Sequence, residues 1–152
     1  MKKSHISAVP FLSLLVLILC FGFASNVFAQ ATIGKIFTKA DADKQFGPVL
    51  KSVTLKVSEV KTILSKSNNY VLFDLSGDKV RCLDEKRTAL NEFGRTAKSG
   101  DPFHKYSRSK VEELISLGDG ATVTFETRAN VFSITSGATT LEMGASCPPW
   151  CE

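Results

Sequence analysis

The amino-acid sequence predicts an α+β fold: antiparallel β meanders with short helices packed on one face. Three observations carry this. Val53, Leu55 and Val57 alternate with polar residues, as do Val123 and Phe125, which is the period of a strand with one buried face. Turn signals at Ser76-Gly77-Asp78, Ala129-Asn130 and Gly137 separate such runs at distances that suit antiparallel neighbours. Between them, Val60, Ile63 and Leu64, and again Val111, Leu114 and Ile115, recur at the spacing of a helix with one apolar stripe.

The chain opens with Lys2 and Lys3, then an apolar run from Phe11 to Phe23, then Val27-Phe28-Ala29. This is the layout of a secretory signal peptide, cleaved between Ala29 and Gln30. Residues 1–29 are therefore assigned as leader, and residues 30–152 as one small α+β domain. A transmembrane anchor needs about 20 apolar residues. The run here is shorter and gives way to Ser25 and Asn26. A lipidated Cys20 would want a small residue before it, and Leu19 stands there. The expected location is periplasmic or secreted, with no membrane span once the leader is removed.

Gln30 to Phe37 suits an edge strand. Thr38 can cap a short helix, Asp41 favours its positive end, and Gly47-Pro48 stops it. Ser52 to Val57 reads as a strand, and Ser58 as the cap of a helix to Ser67. Tyr70 to Leu75 and Lys79 to Leu83 form a hairpin, with a further short strand at Thr88 to Leu90. Asn91 to Pro102 reads as a loop. Ser109 and Glu112 have the spacing of a capping box, and Gly118-Asp119-Gly120 ends the helix they open. Thr122 to Thr127, Val131 to Thr135 and Thr139 to Met143 complete a three-stranded meander.

A shift of fifty-one positions lays Ser58 on Ser109, Val60 on Val111 and Leu90 on Leu141. The central strands need one further residue, which brings Phe73 onto Phe125. The pattern suggests a tandem helix-plus-meander repeat, with half-repeats at about 52–91 and 103–143.

The whole chain has a formal net charge of +4. The leader holds two of the nineteen basic residues and none of the fifteen acidic ones, which leaves +2 for the remainder. Neither value argues for a nucleic-acid binder. Basic residues do gather between Lys79 and Lys110, and Arg95 and Lys98 in the loop are candidate contacts for an anionic partner. The alternative is a solvated loop, since acids are interleaved and no aromatic stacking platform is evident in the sequence.

Cys82, Cys147 and Cys151 remain after cleavage, the last two within Cys147-Pro148-Pro149-Trp150-Cys151. In an oxidising compartment they are disulfide or redox candidates. A Cys147–Cys151 bridge forms most easily, whereas a bridge from Cys82 to either would close a far longer loop. In the loop-entropy approximation these add about 2 and about 4 kcal/mol respectively. Two thiolates and the imidazole of His104 could also hold Cu(I). Trp150 is a candidate partner contact, or else it folds back over the sheet. No residue is assigned to catalysis, to a cofactor or to a metal, and no cofactor is expected. His104 is the single histidine beyond the leader, and neither a Gly-x-Ser-x-Gly context nor a phosphate or calcium loop occurs.

The function these residues lead us to expect is that of an exported, non-enzymatic binding module of the cell envelope or secreted space. Its partner would be an unidentified macromolecule met through a sheet edge, the basic loop or the Trp150 tail. The alternative is a thiol-based redox or copper-binding protein using Cys147 and Cys151.

Overall fold

Nine strands and three helices lie in residues 31–147, the part of the chain that the computed structural model describes. The order is β1 (Lys35–Thr38), α1 (Lys39–Phe46), β2 (Lys51–Lys56), α2 (Val57–Leu64), β3 (Tyr70–Ser76) and β4 (Lys79–Asp84). A 3-10 turn (Phe93–Thr96) follows, then β5 (Phe103–Ser107), α3 (Arg108–Leu117), β6 (Thr122–Thr127), β7 (Phe132–Ser136), β8 (Thr139–Glu142) and β9 (Ala145–Cys147). The expected α+β class is the class observed. The signal peptide expected over residues 1–29, and the tail with Trp150 and Cys151, lie outside the described residues.

Local chemistry sets the helix ends. The Thr38 hydroxyl oxygen accepts from the Asp41 N–H at 3.1 Å, as a capping threonine should. Gly47, at φ 81°, closes α1 by donating its N–H to the Asp43 carbonyl. The two serine caps are corrected. α2 begins at Val57 and α3 at Arg108, so Ser58 and Ser109 sit inside the first turn. Each helix continues directly from a strand, and strand pairing fixes where it starts. At α2 the Glu59 carboxylate accepts from the Lys56 N–H at 2.9 Å. Before α3, Ser107 Oγ accepts instead from the Ile33 N–H at 2.7 Å, which ties down the N-terminal segment.

The strands form two antiparallel sheets. Sheet A has the order β1-β8-β7-β6-β2, and sheet B the order β4-β3-β5-β9. Residues 103–107 and 145–147 give no clear strand signal in the sequence, yet they supply two of the four strands of sheet B. The strand expected at Thr88 to Leu90 reduces to a single bridge between Leu83 and Ala89. Val60, Ile63 and Leu64 of α2 and Val111, Leu114 and Ile115 of α3 share one core with both sheets. Phe73 of β3 meets Phe125 of β6 there, ring centroids 4.9 Å apart. A smaller cluster, Leu72, Leu83, Phe103 and Cys147, lies on the other face of sheet B. α1 packs against β1 and β8, where Phe46 meets Phe37 edge to face. Among the described residues no helix is long and apolar enough to cross a membrane.

Candidate functional site

The basic stretch after β4 is exposed along most of its length and is anchored near both ends by side-chain hydrogen bonds. Arg81 is nearly buried, and its guanidinium donates to Asp74 at 2.9 Å through Nε and to Asp101 at 2.6 Å through Nη1. Burial works against the Arg81 charge, but the bonds and charges of Asp74 and Asp101 outweigh it and raise its pKa. Asp101 is held below the usual carboxylate range by the Lys98 N–H first and by Arg81 second. The aromatic partner that the sequence concealed is Phe103, whose ring carries the guanidinium groups of Arg81 and Arg87, each 5.1 Å from its centroid.

Asn91 fixes the start of this segment. Its side-chain oxygen accepts from the N–H groups of Cys82 and Gly94, and its amide donates to the Val80 carbonyl. Gly94 passes so close to β4 that a Cβ would lie 2.4 Å from the Cys82 carbonyl oxygen, which demands glycine. The pinned segment leaves Arg95 and Lys98 exposed. Beside it, at the β4 end of sheet B, runs a groove of about 390 Å³ with Leu55, Ile63, Val80 and Leu90 in its wall and Phe93 at its rim.

The cysteines are dispersed. Cys82 is a free, fully buried thiol whose pKa burial pushes far up, so it stays protonated. Cys147 is buried in β9, at the opposite edge of sheet B from β4. With strands spaced about 4.8 Å apart, a bridge between Cys82 and Cys147 is out of reach. His104 lies next to the Cys147 strand, opposite Ser146, but the two side chains occupy opposite faces. His104 stacks on Phe132 at 4.8 Å, whereas Cys147 packs with Phe103 and Leu72. Burial lowers the His104 pKa, and Asp74 only partly counters this. Among the described residues no group of three His, Cys, Asp or Glu side chains could hold a metal ion.

A second polar cluster has no counterpart in the sequence reading. Arg128 follows β6 with its side chain fully buried against sheet A. It donates to Ser133 Oγ at 3.0 Å and to the Gly47 carbonyl, and it pairs with Asp43 at 2.9 Å, Glu126 at 3.3 Å and Glu142 at 3.5 Å. Burial raises the Glu142 pKa, with Ser133 and Arg128 pulling it back, and its Oε2 has no hydrogen-bond partner among the described residues. Alternation alone puts Glu126 and Glu142 on a polar face, and only the position of α1 turns that face inward. Arg128 thereby fastens the end of α1 to the sheet, and the cluster reads as structural.

Comparison of the chain with protein-family models, with curated proteins and with solved structures gives no match.

Proposed function

We propose that the protein is an exported, non-enzymatic binding module that holds a macromolecule of the cell envelope or exterior. The surface used is the β4 end of sheet B with the basic segment after it. The observation that carries this is the rigid mounting of that segment. Arg81 and Asn91, each with several bonds, hold a loop that presents Arg95 and Lys98 to solvent beside an apolar groove. A solvated loop needs no such framework, whereas a recognition surface gains affinity from being preorganised. Export rests on the composition of residues 1–29, and periplasmic or secreted placement follows from it. A redox or copper role for Cys147 and Cys151 draws less support, because the other thiol and the imidazole lie elsewhere in the fold.

The test uses the protein without its leader and isolated cell envelopes of the source organism. Co-sedimentation should retain the protein, and Arg95→Glu with Lys98→Glu should reduce both the retention and its dependence on salt. Equal retention of the double variant at every salt concentration would remove the basic segment from the binding surface.

A further inference from the structure

The order strand, helix, hairpin, short strand occurs twice: β2, α2, β3, β4 and residues 88–90, then β5, α3, β6, β7 and β8. A shift of fifty-one positions carries Lys56 to Ser107, Ile63 to Leu114 and Leu90 to Leu141. A shift of fifty-two carries Phe73 to Phe125 and Val80 to Phe132. The pairing obeys the same correspondence, since β2 pairs with β6 and β5 with β3. One place breaks it. In the second half the outer edge of β8 carries β1, with Ile36 opposite Leu141 and Phe37 opposite Thr140. In the first half the corresponding edge, around Ala89, carries no strand among the described residues. The N–H and C=O of Ala89, the counterpart of Thr140, have no backbone partner there.

Three details fit this place to a strand. The groove there is walled by Leu55, Ile63, Val80 and Leu90, counterparts of Tyr106, Leu114, Phe132 and Leu141. In the second half the chain leading into β1 fills the same space: Gly34 lies so near Leu141 and Tyr106 that a Cβ would be 2.8 and 3.2 Å from their side chains. Next, the Ser107 N–H donates to the Ile33 carbonyl at 3.0 Å. Its counterpart, the Lys56 N–H, has no such carbonyl and donates to the Glu59 carboxylate at 2.9 Å, so a side chain stands in for the missing backbone. Finally, Lys66 and Arg95 flank the edge with Glu92. Neither cation belongs to an ion pair among the described residues.

We propose that this edge receives a strand from a partner protein, antiparallel to residues 88–90, in which apolar residues alternate with acidic ones. This deepens the binding-module reading and rests on it. The backbone of Ala89 supplies the ladder bonds, the groove takes the inward side chains, and Lys66 and Arg95 meet the carboxylates.

The probe is a fluorescein-labelled peptide with the sequence of residues 32–39 carrying K35E and K39E, titrated into the protein without its leader and followed by anisotropy. Saturable binding is expected, at least tenfold tighter than for the same peptide with its lysines intact. The gap should narrow in 1 M NaCl and in Arg95→Glu. Methylating the peptide nitrogen at the position of Phe37, which faces the Ala89 carbonyl, should cost at least tenfold while leaving the protein untouched. Ala89→Pro should do the same, and Glu59→Ala should tighten binding by vacating the acceptor position. Lack of saturation at 1 mM peptide, or equal affinity for the methylated peptide, would overturn the proposal. So would a concentration-dependent dimer lost in Ala89→Pro, which would give the edge to a second copy of this chain. If envelope retention still falls on Arg95→Glu with Lys98→Glu while the peptide fails, the binding module stands and strand addition alone is refuted.

Discussion

Replacing Arg128 with alanine is the sharpest probe of the fold. The substitution removes a guanidinium with no exposed side-chain surface, together with its bonds to Ser133 and the Gly47 carbonyl. It leaves Glu126 and Glu142, both buried, without their shared cation. Deleting one member of a buried ion pair costs about 3–5 kcal/mol, a large part of the stability of a domain this size. The loss should depend on pH. Burial already lifts the Glu142 carboxyl, and Arg128 is one of the groups holding it down. Without Arg128 its folded pKa rises further, so the folded variant takes up a proton more readily than its unfolded chain as the pH falls. The deficit relative to the parent should therefore shrink between pH 7 and about pH 4.5. Urea unfolding followed by far-ultraviolet circular dichroism at both pH values measures it, and Glu142→Gln in the same background should recover part of the loss. A cost below about 1 kcal/mol, or a deficit indifferent to pH, would show that the cluster does not bind α1 to the sheet.

Two further outcomes follow from single groups, half-buried His104 and buried Cys82. His104 has a folded pKa lowered by burial, so the unfolded chain binds its proton first. Stability should fall as the pH drops through about 6.5, and Phe or Gln at this position should flatten that part of the urea-midpoint profile; an unchanged slope would refute the assignment. Cys82 should resist a thiol reagent at pH 8 in the native protein and react fully in urea, because burial both shields it and keeps it protonated. Prompt labelling under native conditions would contradict its position in the core.

The parts of the fold legible in sequence are those with one wet face. β6 alternates, the β3–β4 hairpin turns at Gly77, and Thr38 and Gly47 bound α1 where hydroxyl and glycine chemistry place them. β5 escaped because both of its faces are covered. Tyr106 enters the main core and half-buried His104 stacks on Phe132 on the same face, while Phe103 lies beneath the basic segment, so no polar alternation survives. β9 is three residues long, too short for any period. The helix starts were misplaced because backbone pairing, invisible in a linear reading, overrode the serine signal. In the candidate site the exposed cations Arg95 and Lys98 were legible as charges. The residues that hold them, Arg81, Asn91 and Asp101, were not, since their roles depend on partners across the sheet. The arginine two residues after Glu126, on the polar parity of β6, was the one available hint of the Arg128 cluster.

The crossing of β2 to β6 and of β5 to β3 has a consequence for assembly. A polypeptide emerging from its N-terminus cannot finish either sheet early: β2 waits for a mate 66 residues downstream, from Lys56 to Thr122. Severing the chain between β4 and β5 would leave β1 and β2 without their partners β8 and β6, and would part β5 from β3. Such interleaving ties consolidation of the whole body to the arrival of its last third, which favours slow, concerted closure.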